Sequence, residues 1–531
     1  MRLKNIKQAS LALVLLALGS LNSCIHYSGQ SGSDKLSSLL YVIGHQYVDT
    51  VDMDELVEKT IPKVLSELDP HSVYIPAKDA EESNQELRGS FSGIGIQFMI
   101  QSDTIYVSNI IPGGPAEKVG LMAGDRIVTI DDSLYVGKVV SNDGAMKRLK
   151  GPKGSEVRLG VKRYGEPELQ HFTIVRGNIP VKSVDATYMI DSRWCYIKIN
   201  KFGETTYPEM LIALAQGMQQ SMQGCIIDLR GNTGGYMGAA IQMVNEFLPK
   251  GEMIVYTEGE HTPRYEEHAN GSGSCQGLPL VVLTDETSAS ASEIFAGAIQ
   301  DNDRGTIIGR RTFGKGLVQQ PIEFADGSAI RLTIARYYTP SGRCIQKPYT
   351  NGHNDEYELD LLNRYEHGEF FTQDSIKQDE SLAYVTKNGR TVYGGGGIMP
   401  DIFIPQDTTG YTSYYAAVAK AGLLTRFPFE YTDRNRPQLV QYTTMDELLH
   451  HLEGQDIVEQ FVQHATSKGI KRRNNLIRQS HTLIEDILYG NIIYNMLGME
   501  EYVKYLNLSD PTVLKAVEVL DRGESRPQQR P

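Results

Sequence analysis

The sequence predicts a multidomain α+β protein: an N-terminal helical segment, a small β-rich module, an α/β core and a mostly helical C-terminal extension. Three observations carry this reading. The chain has 531 residues, room for three or four domains at about 150 residues each. Its texture changes from helical periodicity to short strands and glycine turns near Gly89, and to polar helical runs beyond residue 410. Between residues 180 and 405, apolar strands alternate with helices, the pattern of an α/β core. Hydrophobic residues make up 40% and charged residues 22%, so a packed core is feasible and wholesale disorder is excluded. The net charge of −13 argues against a nucleic-acid partner, because phosphate neutralisation needs a surplus of Lys and Arg. Five cysteines are too few for a disulfide scaffold.

The N-terminus carries an address. Arg2, Lys4 and Lys7 form a basic start, and Leu11 to Leu18 is an apolar run. The run is too short to span a bilayer and suits a secretory signal. Leu21-Asn22-Ser23-Cys24 resembles the bacterial lipobox, in which the cysteine is lipidated and becomes the mature N-terminus. Asn22 stands where a small or apolar residue is usual, and an ordinary signal containing a cysteine is the alternative. The expectation is a signal over 1–24, a lipid anchor on Cys24, a flexible tether at Ser28 to Ser33 and an exported, periplasmic body. Ile25, with no acidic run after Cys24, favours the outer membrane by analogy with lipoprotein sorting.

Segment 25–87 shows helical spacing at Leu36, Leu39, Leu40, Ile43 and Tyr47 and again from Val57 to Leu68, ended by Asp69-Pro70. Helical texture is expected to reach residue 85. Segment 88–176 reads as one β-rich module, with strands over Gly93–Phe98, Thr104–Ile110, Ile127–Ile130, Val157–Val161 and Phe172–Val175 and one helical turn at Ala116–Val119. Segment 177–410 is the core. Its strands are Cys195–Ile199, Cys225–Leu229, Leu278–Thr284 and Gly305–Gly309; its helices are Tyr207–Met218, Met237–Phe247 and Ile294–Gln300. Segment 411–531 is helical, with runs at Leu448–Phe461 and Leu476–Leu488 and a frayed end at Pro527–Pro531. Cys195 and Cys225 read as buried thiols, and pairing of Cys275 with Cys344 is left open.

Three segments of the core carry candidate chemistry. Ser290 follows a buried strand and opens a helix, with Glu293 at the capping-box spacing. It either caps that helix or is a nucleophile at an end rich in unpaired N–H groups, with the N–H of Ala291 beside it. Gly309 to Gly316 nearly matches a phosphate-binding loop, but Gly316 replaces the Ser or Thr that must hold Mg²⁺ and the next residues read as a strand. What remains is Lys315 between two glycines, a base if burial keeps its amine neutral. Asp228 to Gly235 leaves a buried strand and is either a plain turn or a source of backbone N–H groups. No G-x-S-x-G elbow or H-E-x-x-H zinc helix occurs, and the twelve histidines are scattered.

In this order the three segments resemble the carboxy-terminal processing, or tail-specific, proteases over about residues 34–405. Further matches are Leu68-Asp69-Pro70-His71-Ser72, Thr312 to Gln320, Asp326 to Gln346 and Gly394 to Asp401. The β-rich module resembles a PDZ domain, with Gly93-Ile94-Gly95-Ile96 as its carboxylate-binding loop and Gly120 to Ile127 as a later helix-to-strand segment. The resemblance implies a serine endopeptidase with Ser290 as nucleophile, Lys315 as base and Gln319 orienting the lysine. It places the oxyanion hole at the N–H groups of Ala291 and Gly235. Substrates would be proteins or peptides held by their C-termini; no metal or cofactor is implied, and latent and active states set by the PDZ domain are expected. The extension from 411 departs from the shortest relatives and is read as a dimerisation or adaptor surface, or as packing. A catalytically silent PDZ scaffold and a serine hydrolase acting on esters or cell-wall peptides are the competing readings. The intact Ser290, Lys315 and Gln319 set argues against the scaffold.

Overall fold

The computed structural model describes residues 31–80, 88–101 and 103–526. The expected signal, Cys24 and the end at Pro527–Pro531 lie outside the described residues. One unit ends at Leu68 and contains α1 (Gly32–Gln46) and α2 (Met53–Ser66). Ser31 and Asp34 form a capping box on α1, and Asp52 caps α2 by accepting from the Glu55 N–H at 3.0 Å. Leu36, Leu39 and Tyr47 of the stripe that predicts α1 are exposed.

The second unit begins at Asp69. The helical texture expected to reach residue 85 is interrupted after Ser66 and resumes at residues 77–80, beyond which 81–87 lie outside the described residues. Val73–Ile75 is instead strand β1, since its β-branched and aromatic residues pair with a longer strand after Pro70 breaks the helix. The β-rich module follows in chain order. It comprises β2 (Ser90–Gly93), β3 (Ile96–Gln101), β4 (Thr104–Ile110), the helical turn α3 (Pro115–Lys118), β5 (Arg126–Ile130), β6 (Ser133–Leu134), α4 (Asn142–Leu149), β7 (Glu156–Lys162), β8 (Gln170–Val175) and β9 (Gly177–Pro180). Strands β3, β4, β5, β7 and β8 form an antiparallel sheet around Ile105, Ile127, Val157 and Val161. Among the described residues, strands β2 and β9 pair only with each other, Ser90 opposite Pro180 and Gly93 opposite Gly177, and make a two-stranded neck to the core. The strand expected over Gly93–Phe98 is therefore divided. Gly93 ends β2, Gly95 turns at φ 82°, and Ile96 starts β3.

The core continues with β10 (Val184–Ile190), β11 (Trp194–Ile199), α5 (Thr206–Gln219), β12 (Gly224–Asp228), α6 (Met237–Asn245), β13 (Met253–Gly259), β14 (Thr262–His268), β15 (Leu280–Thr284), α7 (Ala291–Asp301), β16 (Thr306–Gly309), β17 (Leu317–Glu323) and β18 (Ala329–Tyr338). Helices α8 (Asn354–Glu358) and α9 (Asp360–Glu366), the hairpin β19 (Ala383–Val385) and β20 (Thr391–Tyr393), and β21 (Ile402–Phe403) complete it. The main sheet runs β10-β11-β12-β15-β16-β21, parallel from β11 onward with β10 antiparallel at the edge. A second, antiparallel sheet has the order β1-β18-β13-β14, with β17 on β18.

Eight helices follow among the described residues: α10 (Ser413–Lys420), α11 (Leu423–Leu439), α12 (Met445–Glu453), α13 (Ile457–Ser467), α14 (Asn474–Gln479), α15 (His481–Leu497), α16 (Met499–Asn507) and α17 (Pro511–Asp521). The run expected over Leu448–Phe461 is broken at Asp456, which adopts φ 49°, and that over Leu476–Leu488 at Ser480. Helix α17 lays Val513, Ala516 and Leu520 against Tyr196, Val281 and Leu283. The other face of the main sheet packs Ile197 and Val282 with Phe295 and Ile299. Burial on both faces explains the near-continuous apolar strands in the sequence. Cys195 and Cys225 are buried, and Cys275 and Cys344 are free rather than paired. Among the described residues no helix is long and apolar enough to cross a membrane.

Candidate active site

Strands β12, β15 and β16 are neighbours in the parallel sheet. The loops leaving their carboxyl ends therefore meet, as ligand-binding loops of open α/β sheets do. These loops are the three segments the sequence singles out: 229–236, 285–290 and 310–316.

Ser290 joins β15 to α7 with φ 56° and ψ −114°, a positive φ that is rare outside glycine. Its N–H donates to Glu293 Oε2 at 2.8 Å, and the Glu293 N–H returns to the Ser290 carbonyl at 2.9 Å. The hydroxyl faces the helix start in capping-box fashion without making a side-chain cap hydrogen bond of its own. The neighbouring serines are committed elsewhere. Ser288 Oγ donates to the Leu229 carbonyl at 2.9 Å and Ser292 Oγ to the Asn232 carbonyl at 2.8 Å, both fully buried. Of the three, only Ser290 is partly exposed.

Asn232 staples the glycine loop to this elbow. Its carbonyl accepts from the Ala289 N–H at 3.0 Å, and its side chain donates to the Ile199 carbonyl at 3.0 Å and accepts from the Gly234 N–H at 2.9 Å. A Cβ on Gly234 would lie 2.7 Å from Ser290 Cβ and 3.0 Å from the Ala291 nitrogen. Gly235 has φ 140°, and a Cβ there would sit 2.1 Å from the Phe202 carbonyl oxygen. Only glycine permits this approach. The N–H groups of Gly235 and Ala291 have no hydrogen-bond partner among the described residues.

Lys315 is brought to the same place by Glu293, which is fully buried. Glu293 Oε2 accepts the N–H of Lys315 at 2.8 Å as well as that of Ser290, and Oε1 accepts from the Gly314 N–H at 2.8 Å and Thr312 Oγ1 at 2.5 Å. Tyr337 Oη donates to the Ser290 carbonyl at 3.0 Å and lies against the Lys315 carbonyl. Both backbones thus hang on the same two side chains. The N–H groups a phosphate would need at Gly314 and Lys315 are already taken, which disposes of the phosphate-loop pattern. Burial lowers the affinity of the Lys315 amine for a proton, aided by Arg331 and opposed by Glu293 and Asp69. Lys315 Nζ donates to Gln319 Oε1 at 3.0 Å, while no hydrogen bond joins it to the Ser290 hydroxyl. The amide nitrogen of Gln319 donates to the His71 carbonyl. His71 is itself pushed down to about 4, by burial first and Lys315 second, so its ring is neutral. Among the described residues no group of three or more His, Cys, Asp or Glu side chains converges to hold a metal.

Comparison with known proteins decides the family. Residues 193–354 match the model of peptidase family S41, residues 83–162 that of the PDZ domain, and residues 414–498 a family of unknown function. The carboxy-terminal-processing protease of Bartonella bacilliformis is 36% identical over 305 residues, covering 57% of this chain and 69% of that one. The carboxy-terminal processing protease CtpA of Bacillus subtilis is 33% identical over 371 residues, covering 68% and 78%. The chain belongs to the carboxy-terminal processing protease family. Among solved structures, the photosystem II D1 C-terminal processing protease is 26% identical, with a TM-score of 0.33 over 58% of this chain and 88% of that one. This carboxy-terminal processing protease is a serine-type peptidase carrying a PDZ domain.

The PDZ loop is sharply shaped. The carbonyls of Ile94 and Gly95 accept from the N–H groups of Ala116 and Ile111 at 2.8 and 3.0 Å. The N–H groups of Ile94 and Gly95 make no backbone hydrogen bond among the described residues. Gly93 pairs with Gly177 in the neck, and Ile96 pairs with Ile110 at the start of β3, an edge strand of the PDZ sheet.

Sequence reasoning about this carboxy-terminal processing protease missed several parts of the site. Glu293 reads as a capping residue, although its side chain ties Lys315 to Ser290. Asn232 reads as one residue of a glycine-rich turn. The turn at Asp69–Ser72 carries no visible chemistry because its contribution is a backbone carbonyl.

Proposed function

We propose that this protease cleaves peptide bonds near the C-terminal tails of proteins with Ser290 as nucleophile and Lys315 as general base. The observation that carries the reading is the Glu293 carboxylate holding both residues by their N–H groups on one oxygen atom. The neutral Lys315 amine takes the Ser290 hydroxyl proton as Oγ bonds to the substrate carbonyl carbon. The N–H groups of Gly235 and Ala291 receive the oxyanion. Collapse of the tetrahedral intermediate breaks the C–N bond, and the leaving amine takes the proton from Lys315. Water then adds to the acyl-enzyme as Lys315 accepts its proton, and Lys315 passes that proton to Ser290 Oγ as the ester C–O bond breaks, restoring both the hydroxyl and the neutral amine. Gln319 accepts one lysine N–H and so directs the amine's lone pair. In the PDZ domain, a free C-terminal carboxylate is received at Gly93 to Ile96 and the preceding residues add to the β3 edge.

Peptides with free and amidated C-termini test this, using wild type, Ser290→Ala and Lys315→Ala. Cleavage should need a free carboxylate and should fall by about 10³-fold or more in either variant. Equal cleavage of the amidated peptide would remove tail recognition, and an active Lys315→Ala would remove the dyad. The basic start, apolar run and Cys24 support export and lipid anchorage in the periplasm. Recovery of the protein in the soluble fraction of lysed cells would contradict anchorage.

A further inference from the structure

Gln319 sits at a β-bulge in the pairing of β17 with β18, where the register shifts between Val318 and Gln319, and it lies opposite Thr333. A bulge re-aims the side chain it carries, but it does not decide which end of an amide faces which neighbour. That choice matters. A neutral lysine amine has two N–H donors and one lone pair. If Gln319 presents its oxygen, it accepts an N–H and leaves the lone pair for a serine proton. If it presents its NH₂, it donates into the lone pair and removes the base. The two ends of the amide are nearly the same size, so packing alone discriminates poorly between them.

The turn at Asp69–Ser72 supplies the missing discrimination. The His71 carbonyl accepts from Gln319 Nε2 and can pair only with a donor, so Oε1 is left for Lys315. The carbonyl is held in turn. Asp69 Oδ1 accepts the N–H groups of His71 and Ser72 at 2.9 and 3.0 Å, and Oδ2 accepts Ser72 Oγ at 2.5 Å. The turn is fastened to the residue opposite Gln319. Thr333 donates its N–H to Ser72 Oγ at 3.1 Å and its hydroxyl to Asp69 Oδ1 at 2.9 Å. His71 Nε2 lies 2.8 Å from Tyr357 Oη, which fixes the ring as well. Asp69 and Ser72 are both buried.

We propose that the Asp69–Ser72 turn is the positioning element of the general base, locking Gln319 in the one amide orientation that leaves the Lys315 lone pair free. Asp69 and Ser72 are positioning residues, acting through the His71 carbonyl on Gln319. The proposal rests on the Ser290 and Lys315 reading above.

A double-mutant cycle on the full chain tests it, with kcat and KM measured for Asp69→Asn, Gln319→Ala and the double variant. Asp69→Asn should lower kcat by about tenfold or more with KM nearly unchanged. In the Gln319→Ala background the same change should cost nothing further, because no amide remains to orient. Independent losses that multiply in the double variant would overturn the proposal. Should Asp69→Asn fail to fold by thermal melting, Ser72→Ala replaces it in the same cycle with the same criterion. Lys315→Ala, run alongside, separates the two ideas. If it stays active the dyad reading fails. If it is dead while the cycle is additive, only the role of the turn fails.

Discussion

Glu293 is the residue on which the site's ionisation turns. Burial pushes its carboxyl up to about 7, against the hydrogen bonds from Thr312, Lys315, Gly314 and Ser290. All four partners donate, so a protonated Glu293 must give up at least one of them, and activity should fall as pH drops through about 7. Lys315 acts on activity in the same direction. Burial lowers its proton affinity, and only the neutral amine is a base. On stability the two groups oppose each other. A carboxyl whose folded value exceeds its unfolded one favours folding at low pH, and that contribution is lost as pH rises from the ordinary 4.5 through about 7. The difference is worth about 3 kcal/mol. A lysine with a lowered value gains stability as pH rises above that value, until the unfolded chain also loses its proton near 10.5. Glu293→Gln cannot accept four donors, so kcat should fall by about 10²-fold with KM little changed. Its chemical-denaturation stability should lose the decline between about pH 5 and 8. A variant with wild-type kcat would show that the bridge is dispensable.

Among the elements, the glycine loop after β12 and the elbow before α7 work as one piece joined by Asn232. Gly235→Ala places a methyl against the Phe202 carbonyl, which is backbone and cannot yield locally. The loop must shift, moving one N–H of the proposed oxyanion hole. The expected result is a loss of about 10²-fold or more in kcat with a folded core, read by kinetics beside circular dichroism; unchanged kcat would place the oxyanion elsewhere. The parallel strands were legible in the sequence because burial on both faces makes them apolar throughout. Helix α7 was legible from its capping pair. The antiparallel sheet was not, because strands such as Thr262–His268 carry exposed polar side chains and show no burial pattern. Helix α4 escaped for a related reason, burying only Ala145 and Leu149. At the site, the motifs identified the candidates Ser290, Lys315 and Gln319. What joins them is side-chain to backbone bonding by Glu293 and Tyr337 across long sequence separations, which no local pattern encodes.

Across the whole molecule, the C-terminal helices touch the PDZ domain along β3, β4 and β5. On α11, Asp433 pairs with Arg126 at 2.5 Å, Glu430 accepts from Gln101 at 2.5 Å, and Phe429 meets the edge of Tyr106. On α15, Tyr494 Oη donates to Gln97 Oε1 at 2.6 Å. The same region is tied to the core, where Asp510 pairs with Arg230 at 2.7 Å and Trp194 donates to Asp521 at 2.9 Å. The extension thus contacts both the PDZ domain and the core, and these contacts are expected to brace the domain on its two-stranded neck. Asp433→Ala should speed amide exchange in β3, β4 and β5 without changing that of β12, β15 and β16; protection unchanged in the PDZ sheet would deny the brace. The proposed chemistry stands on one reactive serine. Reaction with a fluorophosphonate probe, read by intact mass and peptide mapping, addresses it directly. One adduct on Ser290 is predicted, formed about 10²-fold more slowly or not at all in Lys315→Ala. An adduct on another residue, or labelling of Ser290 at the same rate without the lysine, would contradict it.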